Sequence, residues 1–268
     1  MNVTSETLFH FTDSRLNLEK ILSERFKISY CKENFNLGES SGSFYFPMIS
    51  FCDLPLGSVK SHIKKYGNYA IGMTKNWGIR NKLNPVLYLE TNSNITKDIS
   101  ILFGSITGII DSLGGLLEDV VTKGNVSHIK NIAENTKTVF NSHNNLFRYI
   151  KNYQSDLTRG NKTYSAYRFY DEREWRFVPD IEDKNIKYSL TESEYKKFRG
   201  TRKTKKLLEK PILDFKAEDI KYLIVKSDKD ISPLIRKINS IKHLCATPDQ
   251  ADILITKIFT VEVLESDF

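Results

Sequence analysis

The segment Tyr170–Pro179 combines acids, arginines and large apolar side chains in a short space. Charged and large apolar residues alternate over Glu172–Val178, which predicts a strand. A two-residue period places Glu172, Glu174 and Arg176 on one face of that strand, with the two carboxylates about 7 Å apart. Acids this close raise each other's pKa unless a cation intervenes. The pattern therefore indicates either an acid/base site or a solvated face whose acids pair with arginines.

A second candidate lies near the amino terminus, where Leu8–Thr12 has the pattern of a short strand rich in aromatic residues. His10 and Thr12 are two residues apart and therefore share a face of this strand. A histidine at the end of a sheet is ordinarily a structural residue whose hydrogen bonds are satisfied. It becomes a candidate for catalysis if a carboxylate such as Glu174 shares its pocket, with the neighbouring Trp175 anchoring that strand in the core.

The composition bounds the classes of protein that the chain can form. With 268 residues, of which 40% are hydrophobic and 12% aromatic, it is long enough for a large globular domain. The three cysteines have no metal-type spacing, and their odd number predicts reduced thiols in a cytosolic protein without a metal site. The sequence contains no glycine-rich phosphate loop, no nucleophile elbow and no signal-peptide pattern. We therefore expect a single cytoplasmic domain spanning residues 1–268.

Strand patterns give way to helical periodicity between Asn92 and Asn161, which predicts a helical insertion within a sheet domain. Inside it, the apolar residues of Ile99–Val121 recur at steps of three and four. This spacing predicts one face of a buried amphipathic helix or helix pair, broken near Gly114-Gly115, and not a membrane span. We expect this insertion, residues 92–161, to pack over one side of the sheet.

A basic run follows at Glu194–Lys210 and contributes to the net charge of +7. Such a run is ordinarily a solvated loop or helix face. It is also a candidate contact for a polyanion such as a nucleic acid. Its basic residues are Lys196, Lys197, Arg199, Arg202, Lys203, Lys205, Lys206 and Lys210.

Several distinct short motifs are spread along the chain. They are the strand with His10, Ile49–Leu56, Tyr66–Met73, Trp77, Asn84–Tyr88 and Glu172–Arg176. Together they resemble the motifs of the AbiGi family of abortive phage-resistance proteins, and the resemblance spans nearly the whole chain. It implies a role in anti-phage defence. Because that family carries an antitoxin label, the resemblance also implies a cognate toxin as partner.

More remotely, the same motifs are similar to the His-Tyr-Glu type of ADP-ribosyltransferase fold, in which three such residues converge on NAD. This second resemblance implies that His10, Tyr66 and Glu174 are catalytic and that NAD is the substrate. Glu172 is the second choice for the acid, which would stabilise the oxocarbenium-like centre formed when nicotinamide leaves ribose. The helical insertion makes the gap between tyrosine and glutamate unusually long for this fold. The implied NAD-binding residues are His10, Thr12, Tyr45, Ser50, Tyr66 and Tyr69, among which the three tyrosines are rivals for one position.

We therefore predict an α+β fold with an ADP-ribosyltransferase-like split, mostly antiparallel sheet and a helical insertion. The main functional hypothesis is an NAD-dependent ADP-ribosyltransferase or NAD-consuming enzyme that modifies a protein or nucleic acid in anti-phage defence. The alternative is a non-catalytic partner protein of the same fold that neutralises a cognate toxin through its helical insertion. A third hypothesis is a nucleic-acid-binding module that uses the basic run. The enzymatic hypothesis requires His10 and Glu174 to face one cleft.

Overall fold

The computed structural model describes residues 5–38, 40–121, 126–180, 186–199, 201, 208 and 212–267. Within these ranges the chain forms a mixed α+β fold, as predicted, and the elements below follow chain order. The strands are β1 Thr7–Thr12, β2 Ser29–Leu37, β3 Ser40–Asp53, β4 Tyr69–Thr74, β5 Asn84–Pro85, β6 Leu87–Leu89, β7 Ile150–Asn152, β8 Gln154–Arg159, β9 Lys162–Arg168, β10 Glu174–Phe177, β11 Ile220–Val225 and β12 Ile258–Thr260. The α-helices are α1 Arg15–Glu24, α2 Lys60–Tyr66, α3 Lys75–Arg80, α4 Asn94–Val121, α5 Val126–Phe147, α6 Glu192–Arg199, α7 Ile231–Ser240, α8 Pro248–Ile255 and α9 Val261–Asp267.

The main sheet has eight strands in the order β12-β11-β4-β1-β3-β10-β5, and β2 pairs with the long strand β3. Its pairs are antiparallel except β11 with β12. Beside it lie two smaller sheets, the parallel pair β6–β7 and the antiparallel pair β8–β9. The mostly antiparallel character was predicted chiefly from the remote resemblance to the ADP-ribosyltransferase fold. The strand order was not, because it depends on long-range pairing.

Helices cover both faces of the main sheet. On one face, Leu18 and Leu22 of α1, Trp77 of α3 and Leu234 of α7 join a large aromatic and aliphatic core. On the other face, α2 and α9 cover a smaller apolar cluster that includes Phe9. Both faces therefore carry packed side chains, and alternate residues of β1 and β4, such as Leu8 and Phe9, belong to different cores.

The turn between α2 and β4 depends on one glycine. Gly67 ends α2 with a φ of 119°, a backbone region that side chains other than glycine rarely adopt. A Cβ at this position would also meet the Thr12 carbonyl oxygen. This close approach fixes α2 against the end of β1, and it thereby positions Tyr66 at the edge of the sheet.

The predicted insertion begins with a helical hairpin, the antiparallel helices α4 and α5. Helix α4 runs without interruption from Asn94 to Val121, so the predicted break near Gly114-Gly115 is wrong. Glycine in a helix costs about 1 kcal/mol relative to alanine, and the apolar repeat continues on both sides of this pair. The helical part ends at Phe147, before the predicted bound of 161, because β7 and β8 follow.

The base of the helical hairpin is fixed to the sheet by aromatic contacts. The ring of Phe147 stacks on Phe35 at 4.5 Å and contacts Phe103 at 5.3 Å. Phe35 and Phe46 belong to a third apolar cluster formed by β2, β3, β6 and β7. Among the described residues, no helix combines the length and the apolar content that crossing a bilayer requires.

Candidate functional site

The pairing of β10 with β3 determines the faces on which the predicted site residues lie. Glu174 lies opposite Cys52, and Trp175 lies opposite Phe51. Because opposed residues of antiparallel strands share a face, Glu174 points to the same side as Cys52. Trp175 packs instead against the large core on the other side. The predicted alternation of charged and apolar faces is therefore present from Glu174 to Phe177.

The strand begins two residues later than predicted. Residues Phe169–Glu172 form a 3₁₀ turn, and Arg173 has a left-handed φ of 45°. Glu172 consequently leaves the strand but stays buried, with 3% of its surface exposed. Both acids of the predicted pair thus point into the protein and not into solvent.

Glu174 is the centre of a buried group of three acids and two cations, which we call the ion cluster: Glu33, Lys151, Glu172, Glu174 and Arg176. The Glu174 carboxylate accepts hydrogen bonds from the Ser50 hydroxyl, the Lys151 ammonium and the Arg176 Nε, each at 2.6 Å. The Arg176 Nη2 donates to Glu174 at 3.2 Å and to Glu33 at 2.8 Å. Both carboxylate oxygens of Glu174 are therefore fully engaged within the protein.

Glu172 forms the second part of the ion cluster. Its carboxylate accepts a short hydrogen bond from the Tyr66 hydroxyl, and it lies 3.5 Å from the Lys151 ammonium. The guanidinium of Arg159 lies 4.6 Å from the centre of the Tyr66 ring. Burial, and then the charge of Glu172, raises the pKa of Tyr66, so the hydroxyl stays protonated and donates.

Electrostatics hold the ion cluster in one protonation state. Burial alone would raise the pKa of Glu174, but Arg176 and Lys151 outweigh that effect and hold its pKa well below its usual range. Burial would lower the pKa of Lys151, but the three acids outweigh it and raise that pKa well above its usual range. A general acid or base needs a pKa near the working pH. Neither group meets that condition, which argues against a role for either one in general acid or base catalysis.

His10 lies on the opposite face of the sheet from Glu174. Phe9 lies opposite Cys52 in the pairing of β1 with β3, so His10 falls beside Phe51. Its ring lies 5.5 Å from that of Phe51 and 5.4 Å from that of Phe26, within the large core. The enzymatic hypothesis requires His10 and Glu174 to share one cleft, and the structure does not bring these two side chains together.

Ser50 contacts both His10 and Glu174, through different groups that lie toward opposite faces of the sheet. Its hydroxyl donates to Glu174 on one face, while its backbone carbonyl accepts from His10 Nδ1 at 2.9 Å. Because a carbonyl only accepts, Nδ1 carries the proton of a neutral imidazole. Burial lowers the pKa of His10, which favours the same neutral form. His10 is thus a partly exposed histidine that packs on aromatic rings of the large core and has a satisfied donor.

The other predicted NAD-binding residues are also dispersed. Thr12 and Tyr69 are paired in β1 and β4 on the His10 face, and the Tyr69 hydroxyl donates to Asp230 at 3.2 Å. Tyr45 lies toward the far end of β3, where its ring stacks on Tyr195 at 3.9 Å. Of the predicted set, the structure brings the Ser50 side chain and Tyr66 to the ion cluster with Glu174. The others lie elsewhere.

Two members of the ion cluster were not predicted from the sequence. Lys151 lies in the three-residue strand β7, and Glu33 lies in β2. Nothing in their local sequence marks them, because a single lysine or glutamate in a short strand is ordinarily solvated. Tyr88 also contributes, since its hydroxyl accepts the backbone N–H of Glu174 at 2.7 Å. The pairing of β6 with β7 brings Tyr88 and Lys151 together, and the pairing of β2 with β3 brings Glu33 toward β10.

The predicted basic run falls partly outside the described residues. Lys196, Lys197 and Arg199 lie in the last turn of α6, whereas the remaining basic residues of the run lie beyond the described ranges. Lys196 lies 3.5 Å from Glu192 in an exposed pair. The described part of the run therefore has the ordinary character of a solvated helix end.

The chain is thus an α+β protein, and the charged residues of its ion cluster bind one another inside the protein. The chain belongs to the AbiGi family, since the family model described as "Putative abortive phage resistance protein AbiGi, antitoxin" matches residues 24–226. It is 28% identical over 263 residues to the "Abortive phage resistance protein AbiGi" of Lactococcus lactis subsp. cremoris, covering 91% of this chain and 95% of that relative. No solved structure matches the chain. The AbiGi resemblance is confirmed, and these comparisons lend no support to the ADP-ribosyltransferase resemblance.

Proposed function

We propose that this protein is a non-catalytic partner protein of the antitoxin type, which acts in abortive phage defence by binding a cognate toxin through its helical hairpin. The antitoxin description of the family supports the partner role. The separation of His10 from Glu174, and the complete engagement of the Glu174 carboxylate, argue against the predicted NAD chemistry. The observation that supports the proposal most strongly is the set of apolar side chains that the helical hairpin leaves exposed.

The exposed hydrocarbon is concentrated on this hairpin. Among the described residues, thirteen large hydrophobic side chains are exposed, and seven of them lie on α4 or α5. Scattered exposed hydrophobic residues are normal, but a concentration on one element marks an interaction surface. The seven residues are Ile95, Ile101, Leu102, Ile109, Ile132, Val139 and Leu146.

The spacing of these residues indicates the shape of the partner surface. Ile95, Leu102 and Ile109 are seven residues apart on α4, as are Ile132, Val139 and Leu146 on α5. Residues seven apart lie on the same side of a helix two turns away, which is the repeat of helices that pack along one another. The hairpin therefore offers each exposed row to an apolar helix of the toxin.

A binding experiment tests this proposal directly. The chain is co-expressed with the product of the neighbouring gene, and both complex formation and relief of growth inhibition are measured. The double variant Leu102→Glu with Ile109→Glu should weaken the complex roughly tenfold or more, because it places charge in the centre of the apolar row. The matched control, Leu16→Glu with Ile253→Glu, changes equally exposed residues elsewhere and should bind normally.

A second measurement separates this proposal from the enzymatic hypothesis. The purified wild-type protein is incubated with NAD labelled in its nicotinamide ring, in the presence of cell lysate. We expect no release of nicotinamide. Sustained release that is lost in the His10→Gln variant would overturn the proposal and restore NAD as substrate.

In the binding experiment, normal complex formation by the Leu102→Glu, Ile109→Glu variant would show that the hairpin is not the docking surface.

A further inference from the structure

A basic hollow of about 670 Å³ lies between α2 and the β8–β9 hairpin. Its described lining residues include four lysines and no carboxylate. This hollow belongs neither to the ion cluster nor to the exposed rows of α4 and α5. The residues that line it are Lys60, Ser61, Lys64, Lys65, Lys162 and Tyr164.

The fold assembles this hollow from segments about a hundred residues apart. Lys64 and Lys65 lie in the last turn of α2, where the helix dipole favours cations. The β8–β9 hairpin turns at Gly160, whose φ of 57° suits glycine in the first position of a type II′ turn. That turn places Lys162 at the start of β9, facing the hollow.

The ammonium groups around the hollow are not neutralised by described acids. Lys64 and Lys162 are exposed and form no ion pair within the described ranges. The Lys65 ammonium lies 4.2 Å from the ring centre of Tyr167 and 5.7 Å from that of Tyr164, so rings and not a carboxylate hold it in place. Within the described ranges, Lys60 donates to the backbone carbonyl of Glu265 at 2.8 Å and forms no ion pair. The hollow therefore concentrates positive charge beside aromatic rings.

We propose that the basic hollow binds the phosphates of a single-stranded nucleic acid. Lysine ammonium groups act as separate point charges, which suits a chain that carries one phosphate per nucleotide. Recognition of carboxylates on an acidic protein favours the planar fork of arginine, and the lining residues contain none. A concave site with a tyrosine in its wall also suits an unpaired strand, whose bases are free to contact aromatic side chains.

Fluorescence anisotropy with a labelled oligodeoxythymidine of about twelve nucleotides tests this proposal. The wild-type chain should bind it with an affinity that falls steeply as salt rises, because each phosphate contact releases counterions. The variant Lys64→Gln, Lys65→Gln, Lys162→Gln should bind more weakly. It should also lower the slope of log affinity against log salt by about 2, since each contact on a single strand contributes about 0.7.

A matched control removes the same net charge elsewhere. The variant Lys226→Gln, Lys229→Gln, Lys242→Gln changes three exposed lysines outside the hollow, and it should retain the wild-type affinity and salt slope. Equal weakening by both triple variants would show that overall charge, and not the hollow, attracts the strand. Tighter binding to polyglutamate than to the oligonucleotide would overturn the proposal in favour of an acidic protein partner.

Chemical footprinting tests the same proposal on the wild-type protein alone, so its result does not depend on whether a variant folds. The wild-type protein is acetylated with and without the oligonucleotide, and the modified lysines are identified by mass spectrometry. Lys64 and Lys162 should be protected by the bound strand, whereas Lys226 and Lys242 should not. Unprotected Lys64 and Lys162 in the presence of saturating oligonucleotide would rule out the hollow as the binding site.

Discussion

The ion cluster and the helical hairpin distribute charge and hydrocarbon in opposite ways. The ion cluster buries four of its five charged side chains, with Arg176 fully buried and Glu174 only 3% exposed, and leaves Glu33 partly exposed. The helical hairpin leaves apolar side chains more than half exposed, including Ile109 at 57% and Leu146 at 61%. Charged residues are almost never buried unless they are paired, and contiguous hydrocarbon is seldom exposed without a partner.

Under the proposed function, this difference separates the part of the molecule that stabilises the fold from the part that binds the partner. The charges of the ion cluster bind one another, and both carboxylate oxygens of Glu174 are engaged within the protein. The apolar rows of the helical hairpin are covered by nothing within the described chain, and the proposed function assigns their cover to the toxin. A residue type that commonly performs chemistry is here a structural element. Residue types that commonly form a core are the best candidates for recognition.

The largest expected effect comes from removing one cation of the ion cluster. Lys151→Met leaves three acids close together in a largely buried site, with Arg176 as the remaining cation. Breaking a buried ion pair in this way typically costs about 3–5 kcal/mol, because the remaining charge is uncompensated. Urea unfolding followed by circular dichroism should show a loss of this size in the free energy of unfolding.

Two further variants sharpen that measurement. The double variant Lys151→Met with Glu174→Gln should recover part of the lost stability, since it removes charge of both signs from the cluster. Lys196→Met removes a lysine from the exposed pair with Glu192 and should have no measurable effect. If Lys151→Met were as stable as the wild type, the ion cluster would not be the closed network described above.

An effect of about 3 kcal/mol is expected from His62, which lies beside Tyr66. Burial, aided by the charge of Lys65, lowers the pKa of His62 to about 4 from its ordinary value of 6.5. Between these two pH values the unfolded chain binds one more proton than the folded chain. Stability is therefore lost as the pH falls from about 6.5 to about 4, by an amount of about 3 kcal/mol.

The pH dependence can be isolated with one substitution. The imidazole stacks between Phe11 and Tyr66, so His62→Phe keeps an aromatic ring in the same place. Its loss of stability between pH 6.5 and pH 4 should be smaller than that of the wild type by about 3 kcal/mol. The pKa of Glu174 is lowered in the folded chain, so protonation of this group also costs stability at acid pH in both proteins. Only the difference between the two curves therefore reports on His62. Identical curves would contradict the buried, neutral state of this histidine.

The sequence predicted which residues of one strand share a face. It did not predict which residues of different strands lie on the same face of the sheet. Alternation showed that Glu174 and Arg176 share a side, and that Trp175 belongs to the core. It could not show whether His10 shares that side, because the relation depends on the register of β1 and β10 on β3. A shift of one residue in either pairing would have placed His10 and Glu174 together.

The helical insertion shows a second limit of local patterns. The three- and four-residue steps of Ile99–Val121 correctly predicted an amphipathic helix. They predicted a buried apolar stripe, whereas Leu102 and Ile109 are exposed, because periodicity reports that a helix has an apolar side and not what covers it. Lys151 was missed for the related reason that its partners come from β2, from β10 and from the 3₁₀ turn before β10.

The smallest expected effect tests whether the hairpin surface is open in the free protein. A Cβ added at Gly108 of α4 would meet no described atom within 4 Å, and Gly104 one turn earlier is equally open. Gly108→Ala should therefore raise the free energy of unfolding by about 0.5–1 kcal/mol, because alanine loses less backbone entropy in a helix. The measurement is urea unfolding of the isolated chain, with Gly104→Ala as a second test of the same surface. If a toxin helix packs closely along this side, the same substitution should weaken the complex while it stabilises the free protein. Destabilisation of the isolated chain would instead show that α4 is already covered at this position, and the contrast between a closed cluster and an open hairpin would fail.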